Sequence, residues 1–195
     1  MLILASASKA RLELLKSVGI LPDKIVNTNI NEKPQNGEKP LEYVSRIALE
    51  KNNAVKKEAS DFVLTADTIV ALGRRIILKP NNKDEASLFL DLLSGRRHKV
   101  HTSICIYSSQ TIYQKNVTTS LKMKRLSDQE KKLYLSSEEW QGKAGGYSIQ
   151  GAACYFFPFI SGSYSNVVGL PLTETIGLLN GLGFQTPNFL NRAKN

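Results

Sequence analysis

The sequence predicts an α/β fold built on a mixed, twisted sheet flanked by helices. Three observations carry that prediction. Strand-like and helix-like segments alternate along the whole chain, no internal repeat or low-complexity block interrupts them, and 195 residues at 42% apolar content suffice for one core of useful size. The expectation is therefore a single domain over 1–195, with 184–195 as a peripheral tail.

Leu2 to Ala5 reads as a short buried strand. Ser6-Ala7-Ser8 leads from it into a helix on which Leu12, Leu15 and Val18 recur at helical spacing, with Ser8 as N-cap. A second short strand is expected around Ile25-Val26, then a polar loop from Asn27 to Pro40. From Leu41 the apolar positions Val44, Ile47, Ala48, Ala54 and Val55 mark an amphipathic helix running to about Glu58. Phe62–Leu72 is a nearly continuous β-prone run. Gly73-Arg74-Arg75 turns it into a second arm, Ile76–Pro80, ended by proline. Asp84 and Glu85 favour a helix start, Ala86, Phe89, Leu90 and Leu93 give its apolar face, and Gly95 closes it. Val100–Tyr107 and Thr111–Met123 are long strands flanking Ser108-Ser109-Gln110, and Ser127 with Glu130 forms a capping box for a helix to about Leu135. Gly142–Gly151 reads as an irregular glycine-rich turn, Tyr155–Ile160 as an aromatic strand, Ser161–Asn166 as a loop, and Pro171 as the opening of a last helix through Leu172, Ile176 and Leu179.

Composition excludes several function classes. No apolar run approaches the roughly 18 to 20 residues that cross a bilayer, so no membrane association is expected. The first residues lack both a positive region and a long apolar run, so a cytoplasmic location is expected. Two cysteines, Cys105 and Cys154, in strand-like surroundings are expected as packed core thiols and rule out a disulfide framework. His98 and His101, three residues apart on a strand, would aim to opposite faces and suit no zinc site. The net charge of +9 suits a polyanionic partner. Arg96-Arg97-His98-Lys99 reads as a solvated loop, and with no recognisable nucleic-acid module a polynucleotide partner is not expected.

Asp67 is the most informative residue. An ionised carboxylate inside Phe62–Val70 costs several kcal/mol if it is buried without a partner, so it either faces solvent or does chemistry. Lys51 falls on the apolar stripe of its helix, where it either snorkels to water or meets something buried. Lys79 ends the second hairpin arm; two lysines and a carboxylate around one cleft would suit a phosphate and metal site. The Ser6-Ala7-Ser8 turn offers backbone N–H groups, two hydroxyls and a helix N-terminus to an anion, with Arg11 one turn on; simple capping and a surface arginine is the competing reading. A Walker glycine pattern is missing there, which argues against a P-loop ATPase.

Taken together, these segments resemble the Maf family of nucleoside triphosphate pyrophosphatases, known also from a septum-formation inhibitor. The matching pieces are Leu4-Ala5-Ser6-Ala7-Ser8 with Arg11, Glu32, Lys51, Ala66-Asp67-Thr68-Ile69-Val70, Lys79-Pro80, Ser94-Gly95, Gly142–Gly151, and Val167–Leu172 with Glu174. The resemblance implies two lobes around a central cleft, a dimer, and hydrolysis of a nucleoside triphosphate to the monophosphate and pyrophosphate with Mg²⁺ or Mn²⁺. It implies Asp67 as general base or metal ligand, Glu32 as the second acidic group, Lys51 and Lys79 neutralising the phosphates, and Ser6, Ser8 and Arg11 cradling them. Thr68 and Gln150 belong to the pattern of the branch acting on dTTP and UTP, Gln150 pairing with the pyrimidine edge. Ala10 replaces an arginine linked to substrate choice, and Asn29 and Asn31 replace acidic residues, which implies weaker metal affinity. The competing class is a basic nucleic-acid-binding or division-regulating protein without catalysis.

Overall fold

Strand β1 (Leu2–Leu4) is buried along its whole length, and its backbone is paired in parallel on both sides, by β2 (Lys24–Ile25) and by β3 (Phe62–Leu72). Both parallel connections carry a helix, α1 (Lys9–Ser17) to β2 and α2 (Pro40–Asn53) to β3. The computed structural model describes residues 1–186. Beyond β3 the sheet becomes antiparallel: β4 (Arg75–Ile77), β5 (Arg97–Ser108), β6 (Thr111–Lys122) and β7 (Phe159–Ser161) complete a sheet of order β2-β1-β3-β5-β6-β7, with β4 also on β3. The mixed α/β sheet and both expected hairpins are therefore present.

Two consequences of this topology create a cleft. Along one edge of β3, Phe62–Leu64 pair with β1 and Val70–Leu72 pair with β4, which among the described residues leaves 65–69 without a strand on that edge. The opposite edge is paired with β5 from Val63 to Ala71. The apolar layer is also split on one face. Leu64 and Ala66 pack with Ile104, Ile106, Leu15 and Leu179 in one cluster, whereas Val70 packs with Val100, Leu90 and Phe156 in another. Between them on that face lie Thr68 and Thr102, paired in register and too polar to join either cluster. Two lobes thus share three long strands, and the cleft opens where the apolar layer and the strand edge are both interrupted.

Helix α3 (Lys83–Leu93) and helix α4 (Asp128–Ser136) cover the second lobe, the latter opened by the expected Ser127–Glu130 capping box. The last helices among the described residues are α5 (Tyr164–Val168) and α6 (Leu172–Gly181).

Several expectations are corrected. Helix α2 stops at Asn53 rather than near Glu58, because the Lys57 ammonium turns back onto the Asn52 carbonyl and the chain bends through Glu58–Asp61 to enter β3. The aromatic segment expected as a strand is a 3-10 turn at Ala152–Phe156 followed by the short β7. Cys154 lies on that turn and is exposed, whereas Cys105 is buried with its thiol pushed up to about 12 by burial. The loop after β7 contains α5. Arg97, His98 and Lys99 begin β5 instead of a loop, with His98 buried against Tyr147 and the Arg97 guanidinium 4.6 Å from the Phe159 ring centre. Of the tail expected from 184 onward, Phe184 packs edge-on against Phe62, and 187–195 lie outside the described residues. No helix among the described residues is long and apolar enough to cross a membrane.

Candidate active site

Asp67 sits midway along the unpaired stretch of β3 and is 7% exposed. Strand alternation turns it to the face covered by α2, which places Lys51 directly above it. The Lys51 ammonium donates to Asp67 Oδ1 at 2.7 Å and lies 2.9 Å from Glu32 Oε1. One cation therefore joins two carboxylates from different parts of the chain. Burial raises the Asp67 carboxyl against the opposing pull of Lys51 and Arg11. For Glu32, burial would do the same, but the Lys51 hydrogen bond and the charges of Lys51, Lys79 and Arg11 outweigh it and hold this carboxyl below its usual range.

Thr68, the next residue, points to the opposite face and meets Arg11 from α1. The Arg11 Nε donates to Gly169 O at 2.8 Å, Nη1 to Ser6 Oγ at 3.0 Å and Nη2 to Thr68 Oγ1 at 3.1 Å. Thr68 Oγ1 is 2.9 Å from Thr102 Oγ1, and Thr102 donates to Asn166 O at 3.1 Å. Thr68 Oγ1 also lies 3.4 Å from Gly169 O, so with Arg11 donating to it, its single proton goes to Thr102 or to that carbonyl.

The cleft over the unpaired edge has a volume of about 370 Å³ and is lined from both faces, by Ser6, Ser8, Ala10 and Arg11 of the β1–α1 turn, by Glu32 and Lys51, and by Asp67, Thr68 and Lys79. Lys9 and Lys143 line it too, giving five basic residues against two acidic ones. A second stretch of wall is apolar, formed by Val70, Val100, Ala144, Val167 and Val168. Ser8 caps α1 by accepting from the Arg11 backbone N–H at 3.4 Å. Gln150 is exposed and is not among the residues that line the cleft. Asn29 and Asn31 are also exposed and do not line the cleft; the Asn31 side chain instead accepts from the Lys33 backbone.

Sequence reasoning missed what holds the Glu32 loop. The Tyr43 hydroxyl donates to Glu32 O at 2.7 Å. Arg46 grips Glu38 through Nε at 2.7 Å and Nη2 at 2.8 Å, and donates from Nη2 to Lys33 O at 3.2 Å. The signal was present for Tyr43, which stands four residues before Ile47 and eight before Lys51 on one helix face. Lys9 and Lys143 gave no signal, because their approach depends on how the two lobes meet.

Asp67 and Glu32 fit a divalent ion such as Mg²⁺ or Mn²⁺. Both present hard carboxylate oxygens that already converge on one cationic atom, and such ions take few protein ligands when water and phosphate oxygens fill the rest. Among the described residues no third His, Cys, Asp or Glu joins them.

Residues 1–182 match the family described as Maf-like protein. A dTTP/UTP pyrophosphatase of Roseobacter denitrificans is 51% identical over 185 residues, covering 95% of this chain and 98% of that protein. Its namesake in Cereibacter sphaeroides is 52% identical, covering 93% and 95%. Among solved structures, a HAM1 protein from Coxiella burnetii is similar with a TM-score of 0.48 at 13% identity, covering 92% of this chain and 98% of that one. The sequence relationship extends through both lobes and every cleft-lining segment, and the chain belongs to the Maf family.

Proposed function

We propose that this chain hydrolyses dTTP and UTP to the nucleoside monophosphate and pyrophosphate, a house-cleaning reaction on the nucleotide pool. The observation that carries the reading is Lys51 joining Asp67 to Glu32 in a cleft where basic residues outnumber acidic ones. That excess suits a triphosphate, and relatives about half identical bear the name dTTP/UTP pyrophosphatase. Water attacks the α-phosphorus, the bond from that phosphorus to the α–β bridging oxygen breaks, and pyrophosphate leaves.

Asp67 takes the proton of the attacking water. Lys51 and Lys79 bind phosphate oxygens as negative charge builds on the leaving group, and a donor so placed is worth about 2 to 4 kcal/mol of barrier. Ser6 and Ser8 offer hydroxyls and the α1 N-terminus to the phosphate chain. Arg11 holds that turn in place. Asp67 and Glu32 would hold the divalent metal, which when bound neutralises phosphate charge and polarises the reacting centre. The base lies against the wall of Val70, Val100, Val167 and Val168, near Thr68 and Ala10. The family resemblance also suggests a homodimer, which light scattering checks, and a cytoplasmic location.

The test is incubation of the purified protein with dTTP, UTP and GTP plus Mg²⁺ or Mn²⁺, followed by separation of the products. Monophosphate and pyrophosphate from the two pyrimidines, lost in Asp67→Asn, are expected. Release of single phosphates, or no turnover of any triphosphate, overturns the proposal. No specific observation favours the non-catalytic, nucleic-acid-binding alternative.

A further inference from the structure

We infer that Lys51 is the resident cation of the Asp67–Glu32 pair and excludes the divalent metal from the nucleotide-free protein, so that metal and nucleotide load together. The inference rests on the metal-dependent reading of the cleft. Its basis is a single atom: Lys51 Nζ lies 2.7 Å from Asp67 Oδ1 and 2.9 Å from Glu32 Oε1. The two carboxylates belong to β3 and to a separate loop, and with nothing between them they would repel. Lys51 cancels that repulsion between turnovers; water does little to screen its contact with Asp67, where the side chains are 10% and 9% exposed, and more to screen that with Glu32, which is 42% exposed.

A divalent ion bridging the same two oxygens needs the place the ammonium holds, and two cations at such separation repel strongly in a half-buried site. An arriving triphosphate changes the balance. Its oxygens offer the ammonium another partner, and the flexible four-carbon stem of lysine lets the charge swing to them while the backbone of α2 stays fixed. The two carboxylates are then left with their full charge, of which an ammonium compensates half and a divalent ion all. Lys79 lines the same cleft and acts on Glu32 by charge, yet it bonds to neither carboxylate among the described residues. It is therefore the natural control for a general loss of positive charge.

Binding of Mn²⁺ alone is measured by electron paramagnetic resonance on nucleotide-free wild type, Lys51→Met and Lys79→Met, with Lys51→Gln as the substitute if Lys51→Met does not fold. Lys51→Met should bind Mn²⁺ about tenfold or more tightly than wild type, and Lys79→Met within about threefold of it. A Lys51 variant no tighter than wild type overturns the inference, as does equal tightening in both variants, which would mean a general field effect. In wild type, a dUTP analogue with an imido group between the α- and β-phosphorus should strengthen Mn²⁺ binding about tenfold or more beyond what the same concentration of analogue binds without protein; binding of the analogue without that gain also overturns it. No arm reads turnover. A protein that binds Mn²⁺ in this pattern but leaves dTTP intact would overturn the proposed function and leave the role of Lys51 standing.

Discussion

Arg11 and Thr68, 57 residues apart, are joined by a 3.1 Å hydrogen bond from Nη2 to Oγ1. The same guanidinium also reaches Ser6 and the carbonyl of Gly169, so three segments of the cleft meet on one side chain. No carboxylate bonds to Arg11 among the described residues. Its value is therefore geometric rather than a matter of charge alone, and a lysine, with one nitrogen, cannot reproduce three divergent contacts. Arg11→Lys should lower kcat/KM for dTTP by about tenfold or more and lower the melting temperature, although the charge is kept. Wild-type kinetics in Arg11→Lys would mean that only the positive charge matters.

The loop that carries Glu32 gives a second prediction. It has no regular secondary structure, and what orders it is the grip of Arg46 on Glu38 and Lys33 together with the Tyr43 bond to Glu32. Arg46→Met keeps the helix-forming stem and removes the grip. Glu32 is then held less firmly beside Asp67, and kcat/KM should fall by about tenfold, partly restored by raising Mn²⁺, while far-UV circular dichroism stays unchanged. Loss of activity with no response to metal would place the effect elsewhere than at Glu32.

His98 supplies a prediction about pH. It is 3% exposed, its Nε2 lies 2.9 Å from the Tyr147 hydroxyl, and its Nδ1 is buried without a partner. Burial lowers its pKa to about 4 from an ordinary 6.5, so the folded protein holds this ring neutral where the unfolded chain protonates it. The stability it permits is fully present above pH 6.5 and is lost as pH falls towards 4. That difference in proton affinity is worth about 3 kcal/mol. Urea titrations at pH 7, 5.5 and 4.5 should show this loss in wild type and a shallower one in His98→Gln; parallel slopes would assign the acid sensitivity to other groups.

How far the molecule was legible follows from the range of each signal. The α4 capping box and the Phe62–Leu72 strand rest on neighbouring residues, and both are present. Asp67 and Lys51 stood out because each is a charge set into an apolar pattern, an anomaly visible locally even though the partner is not. The bonds of Arg11 to Thr68 and Gly169 were not legible, since they exist only because β1 and β4 leave a gap on β3 and α5 fills the space above Thr102. Tyr155–Ile160 misled because aromatic composition favours a strand. The Ala152 backbone N–H instead donates to Glu139 Oε2 at 2.8 Å at the start of a 3-10 turn, a contact between segments that no window of local sequence contains.

Gly145 brings backbone shape and chemistry together. It has φ of 73°, and a Cβ there would lie 2.8 Å from Val70 Cγ2 and 3.1 Å from Tyr147 Cε1, so both the left-handed backbone and the space demand glycine. Its N–H donates to Leu78 O at 3.0 Å, which ties the glycine-rich segment to the residue beside Lys79. An alanine must push Val70 or Tyr147, both of which line the cleft, or break the tie and release Lys79. Gly145→Ala should therefore destabilise the protein by about 1 to 3 kcal/mol and lower kcat/KM for dTTP, though by less than Lys79→Ala does, since the lysine is displaced at most and not removed. Gly73→Ala is the matched control: its φ is 60°, a Cβ would meet nothing within 4 Å and it does not line the cleft, so it carries the backbone strain without the clash. If the two alanine variants lose stability and turnover equally, strain alone is responsible and the contact with Val70 has no part in catalysis.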